Sequence, residues 1–200
     1  MAQSLLDSGL NKVLVPAWDA AYSAALVDFT PAITTATTDC QLLVITGVNN
    51  VVARVKRIRV KARLTTLAVL RFRLERWSTL GTLGSAVLTA IPTIANHGSP
   101  NKPGTQPNNP SVTPKSVGTA AYTSAGTTAG IFRQEHVVAK STTVVDSPPE
   151  LGLYEFGERG DNPIEIAGTT DSLVLIVYPP ATATGAKFDM MVQWEESTVG

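Results

Sequence analysis

Arg57 to Leu74 reads RIRVKARLTTLAVLRFRL, and this stretch decides the fold class. Ile58, Val60, Ala62 and Leu64 alternate with Arg57, Arg59, Lys61 and Arg63. That period of two places apolar side chains on one face of a strand and cations on the other. After Thr65 and Thr66 the pattern resumes, with Leu70, Phe72 and Leu74 alternating with Arg71, Arg73 and Glu75. The segment predicts two adjacent strands that bury one face together and carry positive charge on the opposite one. Like charges facing one another across a strand pair are destabilising, so the array needs compensation by solvent, by acidic side chains or by another molecule. The main expectation is that it meets a protein surface.

The same period returns near the other end of the chain. Phe188, Met190, Val192 and Trp194 alternate with Asp189, Met191, Gln193 and Glu195, a half-buried strand whose outward face is partly acidic. Leu173 to Tyr178, LVLIVY, is apolar throughout and reads as a strand covered on both faces. QLLVIT at 41–46, IFRQEHVVA at 131–139, Ser141 to Val145, LGLYEF at 151–156 and Ile164 to Ile166 add further strands. Turn-forming residues separate them, among them Asn49-Asn50, Pro148-Pro149, the run from Gly157 to Pro163, Pro179-Pro180 and Gly185. About eight to ten short strands without a βαβ rhythm or a fixed repeat indicate an all-β fold, an antiparallel β-sandwich with jelly-roll topology ranked ahead of an immunoglobulin-like one.

Two regions stand apart from this strand texture. Residues 1–30 form an N-terminal arm or edge segment, in which Leu5, Leu6, Leu10, Val13 and Leu14 are amphipathic without a clean period. Trp18, Tyr22, Leu26 and Phe29 follow as candidate anchors, on a strand closing the domain edge or on an arm reaching a neighbour. Residues 31–200 form a single sandwich domain interrupted by a long Pro/Gly-rich loop around 95–130. Its centre, HGSPNKPGTQPNNPSVTPKS at 97–116, has almost nothing to bury and prolines that keep it stiff and out of sheets.

Charge narrows the choice of partner. The chain has 16 basic and 16 acidic residues in 200, so net charge gives no help to non-specific binding of nucleic acid or membrane. The halves differ: residues 1–100 hold 10 basic and 5 acidic side chains, residues 101–200 hold 6 and 11. Such a chain can satisfy itself internally or pair head to tail with a copy. No basic region leads into an apolar run at the N-terminus, and no run of about 18 apolar residues occurs. The expectation is a soluble product made inside the cell. Arg57, Arg59, Lys61, Arg63, Arg71 and Arg73 could track phosphates, but few aromatics interleave with them and no base-stacking platform is visible, so a protein-facing stripe is preferred.

Nothing nominates an active site, a cofactor or a metal. Cys40 is alone, which excludes an intrachain disulfide and a Cys-rich zinc site and leaves a buried small hydrophobe as its role. His97 and His136 are far apart in sequence and read as surface histidines. Glu155, Glu158, Asp161, Glu165 and Asp171 crowd one region, but their spacing matches neither a calcium loop nor a glycosidase carboxylate pair. A solvated turn, pairing with the basic ladder, is the default reading. A G-x-S-x-G nucleophile elbow is absent, and Gly81-Thr82-Leu83-Gly84 lacks the Lys of a phosphate cradle.

With the Arg ladder, the Thr- and Pro-rich middle and the C-terminal GTTDSLVLIVYPPATATGAKFDMMVQWEES read together, the chain from about Val51 to Ser197 resembles small virion structural proteins of tailed bacteriophages. It looks like the jelly-roll cement or decoration proteins on the outside of their capsids. The resemblance rests on texture and segment order, and it implies a non-enzymatic β-sandwich, often dimeric or trimeric, that bridges neighbouring major capsid protein subunits. It supplies no catalytic residues. The candidate contacts are Arg57, Arg59, Lys61, Arg63, Arg71 and Arg73 for electrostatic complementarity, with Trp18, Tyr22 and Phe29 as anchors. A tail or baseplate adaptor, or a receptor-binding sandwich with the Pro-rich loop at its tip, is the alternative. A carbohydrate-binding or carbohydrate-processing sandwich is a third reading, by fold analogy alone.

Overall fold

The computed structural model describes residues 20–30, 40–64, 67–80, 82–83, 88–95, 110–117, 122–124, 126–139, 151–155, 163–178 and 186–198. Every regular element among them is a strand. In chain order these are β1 (Ala20–Phe29), β2 (Cys40–Thr46), β3 (Val51–Arg63), β4 (Ala68–Thr79), β5 (Thr82–Leu83), β6 (Leu88–Ala90) and β7 (Thr93–Ala95). They continue as β8 (Lys115–Val117), β9 (Tyr122–Ser124), β10 (Thr127–Ala139), β11 (Leu151–Glu155), β12 (Ile164–Ala167), β13 (Ser172–Tyr178) and β14 (Lys187–Thr198).

Two antiparallel sheets carry the fold. One runs β11-β3-β14-β1-β7, with β12 also paired to β3; the other runs β10-β4-β13-β2-β8-β6. A short ribbon of β5 and β9 completes the set. Alternation drives both sheets together: Val55, Ile58, Val60, Phe188, Met190 and Val192 from the first share one buried cluster with Leu43, Ile45, Leu70, Phe72, Leu173 and Leu175 from the second. Phe72 meets Phe188 edge to face across the gap, with ring centroids 6.2 Å apart. Truncating an aromatic packed like this leaves a cavity, a loss of about 3–5 kcal/mol.

The two Arg-bearing segments do not pair. β3 belongs to one sheet and β4 to the other, which corrects the expectation of adjacent strands sharing one charged face. The physical reason lies in the pattern itself. Paired side by side, the strands would set two rows of cations against each other; in opposite sheets their apolar rows meet and the cations stand on opposite surfaces.

The N-terminal strand is internal to its sheet, lying between β14 and the short β7. Tyr22 is only 1% exposed and stacks on Trp194 with centroids 5.6 Å apart, while Phe29 packs, partly buried, against the core. Trp18 and residues 1–19 lie outside the described residues, as do 96–109, the expected strand at Ser141 to Val145, most of the Gly157 to Pro163 turn, and the Pro148-Pro149, Pro179-Pro180 and Gly185 breaks. The expected loop around 95–130 contains strands among its described residues. Lys115–Val117 pairs with both β2 and β6, and β10 starts at Thr127. Glu196, buried beside Trp194, holds the approach to β8 by accepting the backbone N–H groups of Ser111 at 2.8 Å and Val112 at 2.9 Å.

β13 shows why an unbroken apolar run differs from an alternating one. Leu173, Leu175 and Val177 enter the main core, whereas Val174 and Ile176 join Val44 and Trp77 in a second buried cluster on the far side of the same sheet.

Candidate functional site

On the outer surface of the β3 sheet, Arg54, Lys56, Arg57, Arg59, Lys61 and Arg63 are all half-buried along one strand. A bulge sets their phase. The pairing with β14 moves from Gln193 opposite Arg57 to Trp194 opposite Val55, so Lys56 is the additional residue and two consecutive cations avoid the core.

Acidic side chains from four neighbouring strands meet this row. Glu165 of β12 accepts from Arg54 at 2.9 Å, Glu195 of β14 lies 3.1 Å from Lys56, and Glu155 of β11 sits 3.3 Å from Arg57 and 3.0 Å from Arg59. At the far end Arg63 donates to Asp189 of β14 at 2.7 Å and contacts Asp28 of β1. Asp28 stands at the irregularity in β1 with φ 57°, and its backbone N–H donates to the Asp189 carboxylate at 2.8 Å. Each half-exposed pair contributes about 0–1 kcal/mol, so the row gains shape and orientation more than stability.

Beside this row lies an open concavity of about 410 Å³, lined by Ala25, Leu26, Val27, Arg59, Lys61, Asp189, Met190 and Met191. Register brings these residues together: Lys61 faces Asp189 and Arg59 faces Met191 across β3 and β14, and Met191 faces Ala25 across β14 and β1. Val27, 74% exposed, forms part of the rim. The result is apolar surface bordered by two cations and one carboxylate, a mixture suited to a protein side chain.

The outer surface of the β4 sheet is built differently. The Arg71 guanidinium lies 4.0 Å from the centre of the Tyr178 ring and that of Arg73 5.4 Å from it, while Arg73 also donates to the Tyr178 hydroxyl at 2.8 Å. Arg73 further contacts the carboxylate of Glu75, which is 2% exposed and accepts the Trp77 indole N–H at 2.8 Å and the Thr128 hydroxyl at 3.2 Å. Nearby, Arg76 donates to Asp171 at 2.7 Å. That hydrogen bond raises the Arg76 pKa, with burial opposing and the charge of Asp171 assisting.

The predicted contacts therefore fall into separate places. Arg57, Arg59, Lys61 and Arg63 share the outer face of one sheet; Arg71 and Arg73 belong to the other; Tyr22 has no ring surface left for a partner. Arg54 and Lys56 extend the ladder and were missed because the bulge shifts the period, although the alternation of Val51, Ala53 and Val55 already carried the signal. The pairing of Glu155 and Glu165 with the ladder follows the default reading of the acidic region. Cys40 is buried, which pushes its thiol up to about 12 and makes it a poor nucleophile. His136 is exposed on β10 and His97 lies outside the described residues. Among the described residues no three His, Cys, Asp or Glu side chains gather where a metal ion could be held, and no helix is long and apolar enough to cross a membrane. Comparison with protein-family models, curated proteins and solved structures gives no match.

Proposed function

We propose that this chain is a virion structural protein, a jelly-roll β-sandwich that binds the outside of an icosahedral phage capsid and stabilises contacts between major capsid protein subunits without catalysis or a cofactor. The pairing of its long strands supports the jelly roll: β1 lies beside β14, β2 beside β13, β3 beside β11 and β12, and β4 beside β10. A ribbon folded back on itself and then wound into two sheets has this order. The function rests on the resemblance of the sequence to capsid decoration proteins. The observation that carries the contact surface is the concavity beside Arg59 and Lys61, where two cations and the Asp189 carboxylate border apolar ground. A protein that binds only the assembled shell stabilises it by mass action, and many copies making modest contacts suffice.

The experiment is binding to purified empty shells. The double reversal Arg59→Glu with Lys61→Glu should weaken binding by about tenfold or more, with a modest loss of melting temperature because the reversed side chains face Glu155 and Asp189. Undiminished binding by that variant removes the ladder as the contact. Loss of host adsorption with intact, stable heads after deletion of residues 97–109 would move the protein to the tail.

A further inference from the structure

β10 is a long edge strand. Among the described residues it pairs with β4 along one side, and no strand lies along the other. Edges of this kind present alternate backbone N–H and C=O groups to any extended chain, and monomeric proteins blunt them with bulges and inward-pointing charge. β10 has both devices, unevenly distributed. Its irregularities lie between Thr127 and Arg133, whereas Arg133 to Ala139 pairs with β4 in unbroken register. The inward charges are Arg133 and Glu135, which stand opposite Leu74 and Phe72 and pair with each other at 2.7 Å. Around them Ile131, Phe132 and Val138 are 51%, 43% and 59% exposed.

We propose that the occupant of this edge is β10 of a second copy of the chain, running antiparallel about a two-fold axis at Gln134, so that two β4 sheets join into one continuous sheet. A two-fold centred there places Arg133 opposite Glu135 of the second copy and Glu135 opposite its Arg133, on the same face. Phe132 then stands opposite His136. Charges that would be left against an apolar stranger are met by their opposites only in this register, which makes the blunting device a selective one. The interface is isologous, and residues with outward backbone groups fall opposite residues of the same parity, so the hydrogen bonds of both edges are used. This pairing names the surface for the expected homo-oligomer and does not depend on shell binding.

The test is sedimentation equilibrium of the full chain with three variants. The unaltered protein should dimerise, Arg133→Glu should weaken the dimer by about tenfold or more, and Arg133→Glu with Glu135→Arg should restore it. Gln134→Cys gives a readout independent of charge: opposed residues of an antiparallel pair lie within disulfide reach, so mild oxidation should yield a covalent dimer. A protein that stays monomeric overturns the proposal, as does a dimer that ignores the single reversal or leaves Gln134→Cys uncrosslinked.

Discussion

The outer surface of the β3 sheet and the outer surface of the β4 sheet begin from one motif, arginines at every second position, and arrive at different chemistry. On β3 the cations meet carboxylates of adjacent strands near water, at Glu155, Glu165, Glu195 and Asp189. On β4, Arg71 and Arg73 lie against the ring of Tyr178, Arg73 reaches a buried carboxylate, and a second apolar cluster fills the ground beside them. The difference lies in the neighbouring strand. β13 carries Val174 and Ile176 outward, whereas β14 carries Asp189, Gln193 and Glu195. A cation ladder thus has no fixed meaning until the residues opposite it are known, and one outer surface is adaptable while the other behaves as interior.

Stability measurements should separate the two surfaces. Replacing Glu75 with Ala removes the acceptor of the Trp77 indole and the counter-charge of Arg73 in a buried place, and chemical denaturation should show a loss of about 3–5 kcal/mol. A Cβ on Gly126 would overlap both the Trp77 ring and the Thr79 carbonyl. Gly126→Ala should therefore destabilise by about 1–3 kcal/mol and alter the tryptophan near-ultraviolet signal. Removing the ring beneath two guanidinium groups, Tyr178→Leu, should lose about 0.5–2 kcal/mol. The smallest effect belongs to the β3 surface. A double-mutant cycle on Arg59 and Glu155 should give a coupling of about 0.2–1 kcal/mol that shrinks in 1 M salt. A cycle larger than the Glu75→Ala loss would reverse the comparison.

What could be seen in the sequence was direction, not adjacency. Period two in Ile58 to Leu64 and in Phe188 to Trp194 told which side chains face the core, and the solid run of Leu173 to Tyr178 told that β13 is covered twice. Alternation carries no information about which strand lies alongside, so β3 and β4 were placed together when they belong apart. Glu75 shows the same gap. Its position in the pattern points outward, yet Arg73, Trp77 and Thr128 enclose it, and Thr128 comes from β10, adjacent to β4 in the sheet but distant in sequence. Tyr22 was read as an anchor for a partner because its stacking mate, Trp194, lies near the other end of the sequence and comes opposite it only through the register of β1 with β14. The concavity at Arg59 and Lys61 was half legible: the cations were named, but Ala25, Val27 and Met191 become their neighbours only through sheet register.

One placement shapes how the molecule must come into being. β14 sits between β1 and β3, so the middle of that sheet leaves the ribosome long after its two flanks. Until it emerges, Tyr22 has no Trp194, Arg63 has no Asp189, and two strands wait with open inner edges. Loop-closure entropy makes such distant pairings slow to form. The sheet is therefore completed only once β14 has emerged, and a nascent chain halted before Lys187 would be a sticky intermediate for chaperones rather than a smaller version of the protein.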